Sequence, residues 1–158
     1  MLYEILVRTT QLLAELEAAP VAGTYFKAAE DVPEMVQDFD AYIAFMTNPS
    51  HTQDNPAPKQ FPNIVTFAGL LVGAQILTGL SFTNRINLMQ YADLIGAKFN
   101  ERRYLEYNSV RLANVEEAIF RGGRVFEGPY PQGQNQIIRR QYSFTLEVKY
   151  WRFRVQSH

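Results

Sequence analysis

Few residues in this chain of 158 could do acid–base or metal chemistry. There is no cysteine, which removes disulfides, thiolate zinc sites and cysteine nucleophiles together. The two histidines are His51 and His158, and neither lies beside a serine in a nucleophile elbow. A metal site at His51 and Asp54 would need two more ligands, for which the sequence offers no candidates. No phosphate loop or dinucleotide motif occurs, so we predict no catalysis, no metal and no cofactor.

Paired carboxylates occur in the acidic segment 30–40, where Pro33 suits the first turn of a helix. Glu34 and Asp38 would share one face of that helix. Two carboxylates can divide acid and base roles when a pocket separates their pKa values. The neighbours here are polar and no cation lies nearby in sequence. We therefore interpret the segment as a solvated acidic surface.

Three pairs of arginines stand out in the sequence, Arg102–Arg103, Arg139–Arg140 and Arg152 with Arg154, and the last pair alternates with Trp151 and Phe153. Three interpretations remain open. The arginines could protect a sheet edge from aggregation, face a nucleic-acid backbone or another partner, or belong to a subunit interface, which arginine and aromatic residues favour. The candidate interface residues are Tyr130, Gln132, Arg139, Arg140, Trp151, Arg152, Phe153 and Arg154.

Length and charge fit one globular domain spanning residues 1–158. A chain of this size can bury about 68–70% of its unfolded surface, so it needs no covalent staple. The formal net charge of −1 gives no global attraction to nucleic acid or membranes. Glu4 and Arg8 interrupt the first apolar run, so no signal peptide is predicted. We expect a protein that is made and used without export.

The clearest structural signal is the alternation of apolar and polar residues over 141–150. Successive side chains of a strand point to opposite faces, so this pattern predicts a half-buried strand. Its apolar face holds Tyr142, Phe144, Leu146, Val148 and Tyr150. After Tyr150 the alternation changes phase, which indicates either a bulge near Trp151 or a change of partner.

The remaining pattern predicts an α+β domain with a mainly antiparallel or mixed sheet. An amphipathic helix over 2–18 should lie across the sheet, supported by a Glu4–Arg8 pair. A second helix over 87–99 begins with Asn87 as its cap, and Gly96 in it implies a close packing contact. A closing β-hairpin completes the domain. Strands are predicted at 24–28, 41–46, 63–68 and 74–83 and favoured at 109–120, with a helix as the open alternative for 41–46 and a short buried helix for the apolar run within 63–83. Contact loops are predicted at 47–62 and 128–134.

This order of elements resembles the tail terminator proteins of long-tailed bacteriophages. Three stretches carry the resemblance. They are the leading helix 2–16, the stretch 61–69 in which a proline precedes a short apolar strand ending in glycine, and the aromatic strand 142–150. The likeness covers most of the chain as architecture, without a diagnostic motif.

The resemblance implies a structural virion protein without catalysis or cofactor. Such a protein would form a ring with itself, usually a hexamer, that ends growth of the tail tube at its head-proximal end. Its partners would be the tail tube protein, the head-side connector and, in contractile tails, the sheath. DNA would pass through the ring without sequence-specific binding, and no membrane would be involved. A closed ring through head-to-tail contacts is compatible with a near-neutral monomer.

Two alternatives stay open at this point. One is another neck adaptor, head-completion protein or baseplate component of the same virion. The other is a small-ligand-binding α/β domain or an enzyme. That last alternative would require a pocket lined by Tyr91, Phe99 and Tyr104 with convergent polar groups.

Overall fold

A computed structural model of the chain describes residues 2–29, 41–47, 49–52, 63–76, 82–132 and 135–151. The elements follow one another as helix α1 (Leu2–Ala14), a 3-10 turn (Glu15–Ala18), strands β1 (Tyr25–Ala29), β2 (Ala41–Met46), β3 (Ser50–Thr52) and β4 (Asn63–Ile76), helix α2 (Phe82–Glu101), and strands β5 (Val115–Gln132) and β6 (Asn135–Tyr150).

The strands form one six-stranded sheet with the order β1-β2-β4-β6-β5, and β3 also pairs with β4. The β1–β2 pair is parallel, whereas every other pair is antiparallel. A mixed α+β domain with a leading helix and a closing hairpin is therefore confirmed. The predicted strands at 24–28 and 41–46 are confirmed as β1 and β2.

The alternation predicted for the last strand appears in its burial. Tyr142, Phe144, Leu146, Val148 and Tyr150 are buried, and the residues between them are half-buried. Fully burying one such aliphatic side chain contributes about 1.5–3 kcal/mol, so this row is a large part of the driving force for folding. The strand ends at Tyr150, where the sequence pattern changed phase.

Both helices pack on the face of the sheet that carries this row. Each helix contributes side chains without exposed surface to one core cluster: Ile5, Leu12 and Leu13 from α1, and Leu88, Tyr91, Ile95 and Phe99 from α2. Phe26 of β1 stacks on the Tyr91 ring, with the ring centres 5.0 Å apart. Phe45 is also buried but lies outside this cluster. Successive side chains of a strand point to opposite faces, and Ala44 and Met46 on either side of Phe45 belong to the cluster.

The prediction of two strands around residues 69–73 is wrong, because β4 runs without a break from Asn63 to Ile76. Gly69 looks like a turn residue in the sequence, but in the sheet it lies opposite Phe144. A Cβ atom at Gly69 would overlap the Phe144 ring. Glycine is needed here to make room for that ring rather than to end a strand.

The second helix begins earlier than predicted. It starts at Phe82, so Asn87 is a buried residue inside the helix and not its cap. No proline or glycine lies between Phe82 and Asn87, so nothing prevents the helix from extending toward the N-terminus. The packing role predicted for Gly96 is confirmed, since a Cβ atom there would lie 3.2 Å from the Phe120 ring.

The predicted loop at 128–134 is wrong for most of its length. Strand β5 continues to Gln132 and β6 begins at Asn135, so only residues 133–134 lie between the strands. Pro129 and Pro131 are compatible with β5 because it is an edge strand. Because the two prolines are two residues apart, the N–H groups that they lack would lie on the same side of β5. On the outer side of an edge strand, no hydrogen bond to a neighbouring strand is needed.

The predicted bulge lies on the partner strand rather than in β6. From Val115 to Glu117, β5 advances two residues while β6 advances one, from Tyr150 to Lys149. A second irregularity lies between Phe120 and Gly123, where Gly122 has a φ of 83°. The strand favoured over 109–120 therefore exists only from Val115, and turns occupy the residues before it.

The predicted loop at 47–62 contains strand β3 against β4. A prolonged loop was expected because of its prolines, but residues 50–52 are free of proline and can pair with an exposed edge. His51 belongs to this strand, while Asp54 and the acidic pair Glu34 and Asp38 lie outside the described residues.

Candidate protein–protein interface

The predicted interface residues are dispersed in the structure. Tyr130 and Gln132 lie near the end of β5, and Arg139 lies on β6 opposite Ala74 and Gly128. Trp151 directly follows β6 and is 41% exposed. Arg152, Phe153 and Arg154 lie outside the described residues.

Arg140 does not belong to an exposed surface. It precedes the buried Tyr142 by two residues, so both point to the face that carries the helices. Its side chain is only 6% exposed. Arg140 therefore does not contribute to an exposed basic patch.

Trp151 connects instead to the segment 102–114, which joins α2 to β5. The Trp151 amide donates a hydrogen bond of 2.7 Å to the Asn114 carbonyl. At the start of the segment, Arg102 lies 3.5 Å from a Glu15 carboxylate oxygen, and Lys98 donates to the same oxygen at 2.7 Å. The segment is thus anchored at both ends.

Arg8 of α1 holds the middle of this segment. Its Nη1 atom donates to the carbonyl oxygens of Leu105 and Val110, each at 2.6 Å. The sequence predicted that Arg8 would pair with Glu4 on the helix surface. A guanidinium that satisfies two backbone acceptors fixes the conformation of a loop more firmly than an exposed helical ion pair does.

The backbone of the segment is unusual. Leu105, Asn108, Ser109 and Asn114 all have φ between 51° and 68°. Asn108 and Ser109 form the tip of a tight turn, in which Tyr107 and Val110 exchange two backbone hydrogen bonds of 3.0 Å. Positive φ at both central residues is typical of a type I′ turn. Non-glycine residues keep such conformations where the surroundings fix them, often at functional sites.

This segment carries exposed side chains, which together with Trp151, bonded through its amide to Asn114, we call the loop surface: Tyr104, Val110, Arg111 and Trp151. Val110 at the turn is 60% exposed. The Arg111 guanidinium stacks over the Tyr104 ring at 3.9 Å from its centre. Arg111 has no carboxylate within ion-pair distance in the described part of the chain. Arginine and aromatic side chains held rigidly are typical of interface hot spots.

A second exposed surface lies on the outer side of α2. Its members follow one helical stripe opposite the core side, and we call them the helix surface: Ile86, Met89, Asp93 and Ala97. Ile86 and Met89 are 41% and 49% exposed. A helix that covers a sheet usually carries polar residues on its outer side. The same side also carries the exposed Gln90, so this surface is mixed, with Ile86 and Met89 as its large exposed apolar side chains.

Asp93 also influences the sheet beneath the helix. Burial raises the pKa of the Tyr142 hydroxyl, and the negative charge of Asp93 raises that pKa further. Tyr142 therefore stays neutral in the folded protein at ordinary pH. Asp93 itself makes no ion pair within the described ranges, so its carboxylate is available to a partner.

The described surface also has a hollow of about 200 Å³ where α2 ends beside β5, lined by Asn100, Arg103, Ala118, Ile119 and Phe120. Arg103 pairs there with Glu117 at 2.5 Å. The pocket that an enzyme or ligand-binding domain would require at Tyr91, Phe99 and Tyr104 is not formed by those residues. Tyr91 and Phe99 have no exposed surface, and Tyr104 lies under Arg111.

The described ranges hold neither a metal-binding cluster nor a membrane-spanning helix. Within them, no group of three or more His, Asp or Glu residues could hold a metal ion. No helix there combines the length and apolar character needed to cross a membrane. Comparison with models of known protein families and with curated proteins finds no match for this chain.

Sequence reasoning missed both the loop surface and the helix surface. The helix stripe was detectable, because Ile86, Met89, Asp93 and Ala97 recur at three- and four-residue spacing. The turn at Asn108 carried a weaker signal, since asparagine tolerates positive φ better than most residues. The role of Arg8 could not be found, because its acceptors lie about a hundred residues further along the chain.

Proposed function

We propose that this chain is a structural virion protein that closes into a ring with copies of itself. The ring would sit at the head-proximal end of a bacteriophage tail tube, end tube growth and join the tail to the head-side connector. In contractile tails it would also meet the sheath, and DNA would pass through its opening.

One observation carries this proposal. The described part of the chain has two separate exposed surfaces rich in apolar side chains, the loop surface and the helix surface, each on a rigid support. Two different contact surfaces on one subunit allow head-to-tail association, and such association forms a ring when the rotation closes. The mixed sheet covered by two helices on one face, with a closing hairpin, fits the architecture of tail terminators.

The position in the virion is tested with purified tail tubes. The chain is mixed with tubes, sedimented, and imaged by electron microscopy. We expect it to sediment with the tubes and to appear as a ring at one end of each tube. Density along the tube wall or at the distal end would overturn the terminator assignment and favour a baseplate role. Failure to bind tubes at all would overturn the tail assignment.

A further inference from the structure

The side chains that define the loop surface include one charge, and those that define the helix surface include one charge of opposite sign. Arg111 is the cation of the loop surface, among Tyr104, Val110 and Trp151. Asp93 is the anion of the helix surface, among Ile86, Met89 and Ala97. Within the described residues, neither charge is neutralised by an ion pair of its own chain. Each surface therefore has an apolar area that favours burial and one charge that opposes it unless an opposite charge arrives.

We propose that the helix surface of one copy docks on the loop surface of the next, with Asp93 paired to Arg111 across the interface. This inference rests on the proposed ring and names its subunit contact. A carboxylate meeting a guanidinium already stacked on an aromatic ring forms a charge-assisted hydrogen bond without further ordering of the arginine. Ile86 and Met89 would then cover Val110 and Trp151.

A second copy fits this contact better than an unrelated partner. Both complementary halves are present on the same chain, and they share no residue. Among the residues that the structure describes, no ion pair joins Asp93 and Arg111 of the same molecule. Pairing between molecules leaves one free surface at each end of any open chain of subunits. Closing the ring satisfies both surfaces in every copy.

The test is a charge-exchange experiment on the full chain, read by analytical ultracentrifugation over a concentration series. Asp93→Arg and Arg111→Asp each place like charges across the proposed contact. Each should raise the concentration needed for half-assembly by at least about tenfold. The double variant Asp93→Arg with Arg111→Asp restores an opposite pair and should recover most of the assembly.

The matched control is Asp93→Arg combined with Arg124→Asp. Arg124 is exposed on β5, opposite Ser143 in the ladder, and it belongs to neither surface. This double variant has the same charge composition as the restoring one, but it should assemble as poorly as Asp93→Arg alone. Thermal melting checks that every variant is folded. If a charge reversal does not fold, Asp93→Asn and Arg111→Gln replace it, with a smaller loss expected.

Three outcomes separate the inference from the proposed function. If the unchanged chain assembles and neither single variant weakens assembly, the contact is wrong while the ring stands. The same holds if the restoring double variant is no better than the control. If the unchanged chain stays monomeric at every concentration, the proposed ring itself is overturned, and the contact with it.

Discussion

Replacing Gly69 by alanine should destabilise the domain, because the added methyl group would occupy the space of the Phe144 ring. The new Cβ atom would overlap that ring, and even the third-nearest ring atom, Cε1, would lie 2.6 Å away. The Phe144 ring cannot move freely, since it also contacts Phe99, Phe120 and Tyr142 with ring centres 5.7–6.1 Å apart. Overpacking of a core typically costs about 1–3 kcal/mol.

That cost should lower the melting temperature by about 3–10 °C for a domain of this size. The assay is thermal unfolding followed by circular dichroism, at one fixed protein concentration because assembly would also stabilise the fold. Combining Gly69→Ala with Phe144→Leu should destabilise less than the sum of the two single changes, because the smaller side chain leaves room for the methyl group.

Gly96→Ala is the matched control. Its Cβ atom would lie 3.2 Å from Phe120, a contact that a small shift of the ring relieves. Alanine also favours the helix by about 1 kcal/mol relative to glycine, so the net change should be close to zero. A Gly69→Ala variant that melted at the same temperature as the unchanged protein would refute the packing argument. Fully additive destabilisations of Gly69→Ala and Phe144→Leu in the double variant would also refute it.

Three further predictions concern single side chains. Leu146→Asp should prevent folding by burying an unpaired charge, and cooperative melting of the soluble variant would contradict this. Arg8→Ala should lower the free energy of unfolding by about 1.5–3 kcal/mol, because the hydrogen bonds to two carbonyls are lost. It should also change the fluorescence of Trp151, the chain's one tryptophan. An unchanged spectrum would count against the role of Arg8 in anchoring the segment. Since the pKa of Tyr142 is raised above 10.0, unfolding releases its proton more readily, so stability should fall as the pH rises past that value. Chemical denaturation of Tyr142→Phe should show a weaker decline of stability above that pH than the unchanged protein shows. An identical decline in both proteins would mean that Tyr142 does not cause it.

The elements that the sequence predicted well are those whose pattern is set by one buried face. Strand β6 alternates strictly because one side contacts the helices and the other does not, and α1 carries a single apolar stripe for the same reason. Such periodicity is local information, so it is readable without knowing what the element packs against.

The errors arose where a residue type had more than one physical use. Gly69 was interpreted as a residue that ends a strand, but it makes room for the Phe144 ring on another strand. Pro129 and Pro131 were interpreted as a loop, but an edge strand accepts them. Arg140 was interpreted as surface, but its position relative to Tyr142 places it on the covered face. In each case the deciding partner is distant in sequence and becomes known only with the sheet order.

The claim that copies of this chain close into a ring is tested most directly by the native mass of the purified protein. One subunit has a mass of 18.1 kDa. We predict one closed species of defined stoichiometry, with six copies as the number that the resemblance to tail terminators implies. A mass of 18.1 kDa at every concentration, or an open-ended series of masses without a dominant species, would contradict the ring.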